Sequence, residues 1–508
     1  MEERFESSKI TRMSDSVSFG SFIWKNKFNR SVVVVCILSM LFLVGLFKYY
    51  YPFAGFINGD SYAYIVSAAN NLKIDTYPIG YPKFLRLFSV FSSDDTTLVV
   101  FQYLFVQLNA LLLILSLFYF YPPYKWIFIL TVGLMTLNPV ILYLANYVSS
   151  DIIFLGLSLC WLTLLIWILH RPSWWLIFVH ALIVTISFLV RYNALFYPLI
   201  SLFAFFLKRD HLKLKLVGIG VAGSLIGVFV LFTSLQYKNF SGKAQFSPFS
   251  GWQLANNAMY AYKFIDSADR KKVPAKFAEL DKDVRNYFDS TKIWYRHPEE
   301  MIMAGTLYMW SPKSPLRIYM AEKYKNDSTI SDQKRWAQMG PYYEAYGREL
   351  IKMYPATFVK KYLCINFLKY YAPPIEFLGA YNSGIDTVRP VAVHWFGYSS
   401  TKISAKASGK QVNVLNYYPI IVGATNVIFV MMSIVFLIFG GRRSGNGFFQ
   451  VWMLVTAFWI INLLFSVYAS PVALRFQVFP FMLCFIFNLM LLDYVLKAPD
   501  SKDKSLVS

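Results

Sequence analysis

The stretch SVVVVCILSMLFLVGLFKYY, from Ser31 to Tyr50, decides the fold class of this chain. A helix that crosses a bilayer needs about 20 consecutive apolar residues, and this run has that length. Similar runs recur along the chain, so we expect about ten membrane spans, of which the fifth and sixth are short and separated only by Arg191. The predicted spans are Ser31–Tyr50, Thr97–Tyr119, Trp126–Tyr147, Ile152–Leu169, Ser173–Val190, Tyr192–Leu207, Leu216–Leu235, Tyr417–Phe439, Phe448–Val467 and Gln477–Leu496.

The composition also indicates a membrane protein. Of the 508 residues, 56% are hydrophobic and only 15% are charged, whereas a soluble domain of this size carries more charge and less Phe. The four cysteines include no CxxC pair and indicate no disulfide framework. About thirty mostly polar residues precede the first apolar run and no small-residue cleavage site follows it, so we expect an uncleaved anchor.

The positions of Lys and Arg predict the orientation of the chain in the membrane. If the N-terminus is cytoplasmic, the basic residues collect in the inside segments, and the short outside turns hold little beyond Arg191 and Arg475. The inside basic residues are Lys25, Lys27, Arg30, Lys125, Arg171, Lys208, Arg209, Lys213, Lys215, Arg442, Arg443, Lys497, Lys502 and Lys504. We therefore expect both termini to be cytoplasmic, in a bacterial inner membrane, with the functional site facing the periplasm.

The predicted spans divide the chain into five parts. They are a cytoplasmic tail (1–30), an N-terminal transmembrane module with catalytic outside loops (31–235), a long outside loop or small helical domain (236–416), C-terminal transmembrane helices (417–497) and a second cytoplasmic tail (498–508). The long outside segment holds 26 Lys and Arg against 15 Asp and Glu. A basic face toward anionic lipid headgroups or phosphate-bearing substrates explains this excess about as well as a merely solvated surface does.

Two outside regions have the pattern of helices that lie in the membrane interface. The first outside loop, 51–96, has a helical period followed by two Tyr-Pro pairs and a second amphipathic stretch. The sequence YPATFVKKYLCINFLKYYAPP, residues 354–374, predicts an amphipathic interfacial helix that ends at its Pro pair.

Several familiar motifs are absent or lie in the wrong context. GIGVAG, at Gly218–Gly223, matches the dinucleotide-binding pattern, but no strand precedes it and it lies within a predicted span. Gly223 and Gly227 instead favour close packing between membrane helices. The five histidines are scattered, and neither HExxH, GxSxG nor a Walker sequence occurs. No nucleic-acid-binding module is visible either.

Four ionisable residues lie near the outer ends of different predicted spans. Asp60 follows the first span after a short loop, Asp151 precedes the fourth, Arg191 separates the fifth from the sixth, and Arg475 opens the last. Groups of this kind at membrane depth tend to face protein or a water-filled cavity. In a simpler alternative, each Asp only caps a helix and each Arg only reaches to lipid headgroups.

A common chemical purpose would explain these four residues together. The planar fork of Arg matches phosphate oxygens, and a carboxylate within hydrogen-bonding reach can act as a base. The set therefore predicts group transfer from a lipid-linked phosphate donor to an acceptor at the outer face.

The order of these elements resembles the GT-C glycosyltransferases, which include protein O-mannosyltransferases and lipid A aminoarabinose transferases. The resemblance covers Ser31 to about Leu207 best. The stretches that carry it are GDSYAYIVSAANNL and YPIGYPKFL in the first outside loop, SSDIIFLGLSL at the fourth span and FLVRYNALFYPLI between the fifth and sixth. It implies an all-α GT-C-type bundle of about ten transmembrane helices, with amphipathic helices in the first outside loop and a long outside loop before the eighth span.

The resemblance also implies an activity: transfer of a sugar, with inversion in a single displacement, from a polyprenyl-phosphate donor to a glycan, lipid or protein. The sequence departs from the family at two positions. The usual pair of acids in the first loop is Asp60-Ser61 here, and Arg191 stands where relatives such as the lipid A transferases place Lys. The large soluble C-terminal domain of some members is expected to be absent.

Roles for single residues follow from the resemblance. Asp60 corresponds to the catalytic acid of the first loop, and Asp151 to a second acid that assists the acceptor or a metal. The candidates for binding the donor phosphate are Arg191, Arg475, Lys83 and Arg86. Weaker candidates for binding the acceptor or sugar are Tyr62, Tyr81, Trp252, Gln253 and Asn256. For Trp252, Gln253 and Asn256, a packed interfacial helix explains the residues at least as well. No cofactor is certain, and a divalent cation such as Mg²⁺ or Mn²⁺ would use Asp60 and Asp151.

Two other classes of function stay open at this point. A transporter or flippase for polyprenyl-linked sugars would show inverted repeats and polar groups near the membrane midplane. A membrane assembly factor without enzymatic activity would use its long outside loop to bind a partner. In each case membrane lipids are partners and nucleic acids are not.

Overall fold

The computed structural model describes residues 17–290, 305–327, 329–407, 411–444, 447–469 and 471–503, and within these ranges the chain is all-helical. They contain no β-strand, only isolated bridges such as the one between Gly55 and Tyr147.

The helices fall into three groups along the chain. Those before the outside segment are α1 (Phe19–Trp24), α2 (Lys27–Tyr50), α3 (Asp60–Ala69), α4 (Gly80–Phe88), α5 (Asp95–Phe120), α6 (Lys125–Thr136), α7 (Pro139–Ala145), α8 (Ser150–His170), α9 (Trp174–Val190), α10 (Tyr197–Leu207) and α11 (Leu212–Ser241). Those of the outside segment are α12 (Pro248–Tyr262), α13 (Ala278–Ser290), α14 (Leu307–Trp310), α15 (Pro315–Lys323), α16 (Asp332–Met353), α17 (Pro355–Phe358), α18 (Cys364–Tyr371) and α19 (Pro390–Phe396). The last group is α20 (Tyr418–Ile438), α21 (Phe448–Ala469) and α22 (Leu474–Asp503).

Short helical turns complete the secondary structure. The 3₁₀ turns are Tyr192–Phe196, Ser267–Asp269, Ala275–Phe277, Glu376–Gly379, Tyr381–Gly384, Asn413–Leu415 and Gly441–Arg443. A π-helical turn, Val359–Leu363, joins α17 to α18.

The helices identify a multi-pass membrane protein. In the described ranges, eight helical segments are long and apolar enough to cross a membrane: Lys27–Tyr50, Asp95–Phe120, Lys125–Ala145, Ser150–His170, Leu212–Ser241, Asn413–Ile438, Phe448–Ala469 and Leu474–Lys497. The fifth and sixth predicted spans correspond to shorter apolar helices, Trp174–Val190 and Tyr192–Leu207. The arrangement of apolar helices is therefore confirmed, while the count of about ten spans stays a prediction.

The third predicted span is not one continuous helix. It consists of α6 and α7, and the break lies where Asn138 precedes Pro139. Proline has no N–H and disfavours helical backbone in the residue before it, so the first helix ends there. The Asn138 side chain then accepts a hydrogen bond from the Val140 N–H at 3.2 Å and caps α7.

The helices predicted in the outside regions are present. The first outside loop contains α3 and α4, and the stretch 354–374 forms α17, the π-helical turn and α18, ending before its Pro pair. GIGVAG lies inside α11, in agreement with the helical interpretation.

The packing role expected for Gly223 and Gly227 is wrong. A Cβ atom built on either residue would meet no other atom within 4 Å. The close contact of α11 is instead made at Gly218, whose added Cβ would collide with the Ile177 side chain of α9. The small residues therefore predict correctly that this helix packs closely against a neighbour. They do not predict which turn of the helix makes the contact.

The outside segment contributes to two separate cores. Its first part, around α12 and α16, has its own buried cluster, in which Trp252 stacks on Trp336 with ring centroids 5.2 Å apart. Its last part, which includes α19, packs with the membrane helices, since buried residues such as Leu378 and Phe396 belong to their core. Residues 236–416 thus link an outside core to the membrane module.

Close contact between α12 and α16 depends on glycines. A Cβ atom at Gly347 would lie 2.8 Å from the backbone nitrogen of Ala255, and one at Gly251 would collide with the backbone of Gly340. Backbone atoms cannot rotate away as a side chain can, so these positions tolerate no larger residue without moving a helix.

We predict that Gly347→Ala destabilises the outside core by about 1–3 kcal/mol, because the added methyl group forces α12 and α16 apart. Gly227→Ala is the matched control, since its methyl group meets no neighbour within 4 Å. Thermal unfolding in detergent and limited proteolysis of the outside segment would measure the difference. Equal melting temperatures for the two variants would show that the α12–α16 contact is not close-packed.

Candidate functional site

The structure brings the four predicted ionisable residues into one cluster. Asp60 lies in the first turn of α3, Asp151 in the first turn of α8 and Arg475 in the first turn of α22, while Arg191 follows the last residue of α9. The Arg475 Nη1 atom lies 3.1 Å from Asp60 Oδ2 and 3.2 Å from Asp151 Oδ2. Arg191 forms an ion pair with the other carboxylate oxygen of Asp151. We call these four residues the charged cluster.

The two Asp side chains do not cap their helices. Gly59 precedes α3 with φ +100°, a conformation that suits glycine, and no side chain caps that helix. The N-cap of α8 is Ser149, whose hydroxyl accepts a hydrogen bond from the Asp151 N–H and donates one to Asp151 Oδ2 at 2.7 Å. Both carboxylates therefore benefit from the helix dipole while their oxygens stay available to the cluster.

Aromatic rings hold the two guanidinium groups. The Arg475 guanidinium lies 4.3 Å from the ring centroid of Phe476 and 4.6 Å from that of Phe377. The Arg191 guanidinium lies 4.7 Å from the same Phe476 ring. Contacts of this kind attract a cation to the face of the ring and leave its N–H edges for anions.

A tyrosine completes the surroundings of Asp60. The Tyr77 hydroxyl donates a hydrogen bond to Asp60 Oδ1 at 2.7 Å. Burial raises the pKa of Tyr77 well above its ordinary value, and the nearby Asp60 carboxylate raises it further. Tyr77 thus stays protonated and keeps its role as a donor.

A third carboxylate, that of Glu376, lies beside the cluster and is not predicted from the sequence. Its Oε2 atom lies 3.8 Å from the Nε atom of Arg475. The residue is brought there by the segment after α18, where the Leu474 N–H donates to the Pro374 carbonyl at 2.9 Å. The only sequence signal is an acid just after the Pro pair that ends the interfacial helix, and such a signal does not reveal a contact 99 residues along the chain.

The cluster is shielded from solvent to different degrees. The Asp151 side chain is 2% exposed and that of Arg475 10%, against 20% for Asp60 and 23% for Glu376. Three carboxylates thus face two guanidinium groups, and the more open side of the cluster is that of Asp60 and Glu376. A molecule that enters the cluster would meet these two acids first.

Lys83 and Arg86 lie apart from the charged cluster. The Lys83 ammonium contacts the Asn71 side chain at 2.6 Å, and Arg86 donates to the Ala68 carbonyl at 3.1 Å. These partners are at the end of α3 opposite Asp60, about 13 Å along the axis at 1.5 Å per residue. Phosphate binding by these two residues stays a prediction that no contact with the cluster supports.

The candidates for sugar binding in the first outside loop are packed in the interior. Tyr81 is fully buried and donates to Gln102 Oε1 at 2.8 Å. Tyr62 stacks on Phe56, with ring centroids 5.4 Å apart, and Arg389 lies over its ring.

The candidates on α12 belong to the outside core. Trp252 donates to the Trp336 carbonyl at 2.9 Å, and Asn256 bonds to the backbone of Gly305 and Tyr308. Gln253 donates to Asn257 at 2.6 Å. Packing, the alternative open at the sequence level, accounts for these contacts, and a role in sugar binding stays a prediction.

The donor set of the cluster does not fit a divalent cation. Within the described part of the chain, no group of three or more His, Cys, Asp and Glu side chains could hold a metal ion. Asp60 and Asp151 approach each other only through the guanidinium of Arg475, which occupies the place that a shared cation would need. A metal there would first have to displace Arg475 from both carboxylates.

With this geometry described, the chain can be compared with known proteins. Comparisons with protein-family models, with curated proteins and with solved structures give no match. The fold and the cluster define an all-helical, multi-pass membrane protein with ionisable side chains gathered at one end of its helices. Its function must therefore be inferred from its own residues.

We predict that Asp151→Asn destabilises the protein more than Asp60→Asn does. Asp151 neutralises both guanidinium groups and is almost fully buried, whereas Asp60 contacts one of them and is partly exposed. Loss of one partner of a buried ion pair costs about 3–5 kcal/mol, and we expect Asp151→Asn to lose that amount. Thermal unfolding in lipid nanodiscs would measure it, and equal losses for both variants would contradict this description of the cluster.

Proposed function

We propose that this chain is a membrane glycosyltransferase of the GT-C type. It transfers a sugar from a polyprenyl-phosphate-linked donor to a glycan, lipid or protein acceptor on the outer face of a bacterial inner membrane. One observation carries the proposal: residues from four parts of the chain, the most distant 415 positions apart, converge in direct contact as two acids and two guanidinium groups.

Arg191 and Arg475 are the groups suited to the phosphate of the donor. Guanidinium forks match phosphate oxygens, and both forks here are held against Phe476 beside the outer ends of apolar helices. A lipid chain can remain among the membrane helices while its phosphate reaches this depth. As the bond from the sugar to the phosphate breaks, charge grows on the phosphate oxygens, and fixed cations stabilise it.

The acids supply the second half of the reaction. In a single displacement the acceptor hydroxyl attacks the sugar carbon on the face opposite the phosphate, so the configuration inverts. The hydroxyl needs a base, and a carboxylate in the cluster can take its proton. Asp60 also fixes Arg475, which makes it important to both halves of the site.

The position of the cluster supports an enzyme over the alternatives. A transporter that carries its substrate across the membrane needs polar groups near the midplane, whereas this cluster lies at helix ends next to outside loops. An assembly factor would not need two guanidinium groups that share a carboxylate in a shielded place.

We predict that Asp60→Asn lowers the rate of sugar release by about two decades or more while the protein stays folded, because Arg475 loses a carboxylate that fixes its position beside the donor phosphate. Purified wild type and variant in nanodiscs would be assayed with a panel of polyprenyl-phosphate hexoses and pentoses. Each donor would be tested with water and with simple alcohols as acceptors.

Asp332→Asn is the matched control for this experiment. Asp332 also lies in the first turn of a helix and pairs with an arginine, Arg317, at 3.2 Å, but it is exposed in the outside segment. An unchanged rate in Asp60→Asn, or an equal loss in the control variant, would refute a role for Asp60 in the reaction. No sugar release by the wild type from any donor would refute the proposed function itself.

A further inference from the structure

The charged cluster contains one polar group without a partner. The Nε atom of Arg475 is buried and forms no hydrogen bond with any described residue. The nearest carboxylate oxygen on that side is Glu376 Oε2 at 3.8 Å, beyond hydrogen-bonding distance. Glu376 therefore lies beside Arg475 without a hydrogen bond to it, and no described residue donates a hydrogen bond to its carboxylate.

Glu376 is instead open to a molecule that approaches the cluster. Its side chain is 23% exposed, against 2% for that of Asp151. A hydroxyl group that enters from this side can donate its hydrogen to the Glu376 carboxylate. A phosphate oxygen suits the place less well, because it cannot donate and would be repelled by the carboxylate.

The other two acids are already committed. Asp60 accepts from Tyr77 with one oxygen and from Arg475 with the other. Asp151 accepts from Arg191 with one oxygen, and from Arg475 and Ser149 with the other. The oxygens of both acids are therefore occupied by donors, whereas those of Glu376 are not.

The backbone at Glu376 is also unusual. Its φ is +47°, in the left-handed region that non-glycine residues seldom adopt. Two neighbouring contacts hold the segment in place: the Leu474 N–H donates to the Pro374 carbonyl at 2.9 Å, and the Tyr147 hydroxyl donates to the Phe377 carbonyl at the same distance. Such conformations cost about 1–3 kcal/mol and occur most often at functional sites.

We propose that Glu376 is the general base of the transfer and that the acceptor hydroxyl binds to its carboxylate on the open side of the cluster. This inference rests on the proposed function. The acceptor oxygen forms a bond to the anomeric carbon of the sugar, and its proton passes to the Glu376 carboxylate. The bond from that carbon to the phosphate oxygen breaks, and the lipid phosphate leaves with the electron pair. Glu376 later releases the proton to solvent, and Asp60 and Asp151 serve to hold the guanidinium groups.

The electrostatic surroundings agree with this role. The charged groups that act on Glu376 are Arg475, Lys369 and Asp60. Burial raises the pKa of Glu376 above its ordinary value, with Asp60 adding to this effect and the two cations opposing it. A raised pKa makes a carboxylate a stronger base.

The test compares Glu376→Asp with Glu376→Asn in nanodiscs. Asn and Asp both tolerate the left-handed backbone, so the two variants differ chiefly in the presence of a carboxylate. Release of sugar to water and to simple alcohols from polyprenyl-phosphate hexoses and pentoses would be measured across pH. Since water is itself a hydroxyl acceptor, the assay does not require the natural acceptor.

We expect Glu376→Asn to lower kcat by about 10²–10⁴ with little change in the KM for the donor, and Glu376→Asp to keep more of the rate. A base works only when ionised, so the wild-type rate falls as pH falls through the raised pKa of Glu376, above 4.5. This acid limb should be missing from the residual rate of Glu376→Asn. Azide carries no proton and needs no base, so it should restore turnover in that variant by forming the glycosyl azide.

The outcomes separate this inference from the proposed function. If the wild type releases sugar but Glu376→Asn keeps both its rate and the acid limb, Glu376 is not the base and the inference fails alone. The same holds if the acid limb disappears in Asp60→Asn and persists in Glu376→Asn. If the wild type releases no sugar from any donor, both the inference and the proposed function fail. Equal losses in the Asp and Asn variants without azide rescue would show a structural role only, and would also overturn the inference.

Discussion

The guanidinium of Arg475 is the group on which the arrangement of this protein most depends. It opens the last membrane helix and lies between carboxylates that open α3 and α8, with a third acid from the outside segment nearby. Leaving any of these charges unpaired at such depth would be costly. The same contacts that form the site also join the first and last thirds of the chain.

Much of the fold can be predicted from the sequence because the membrane imposes a simple length rule. Runs such as Ser31–Tyr50 are long enough to cross a bilayer, and the doubtful fifth and sixth spans are the two that fall short in the structure. The rule cannot detect a break inside an apolar run, as at Asn138. It also cannot say which glycine touches a neighbour, because that depends on helix rotation: Gly218 is used and Gly227 is not.

Part of the candidate site could also be predicted from the sequence, again because the membrane restricts where charged residues lie. The predicted sidedness puts Asp60, Asp151, Arg191 and Arg475 at one face of the membrane, and rare charges at one depth tend to meet. Glu376 could not be found in this way, since it comes from a loop whose course is set by hydrogen bonds to distant backbone groups. The sequence also could not show that Lys83 contacts Asn71, just beyond the C-terminal end of α3.

The length of α11 has a mechanical consequence. At 1.5 Å per residue its 30 residues extend about 45 Å, well beyond a hydrocarbon core of about 30 Å. Its last turn is joined directly to the outside core, where Gln338 donates to the Ser241 carbonyl at 3.2 Å, and it also touches the first outside loop through a bond from Tyr237 to the Asp75 carbonyl at 2.6 Å. The tilt of α11 in the bilayer and the position of the outside core above it are therefore coupled through one continuous helix.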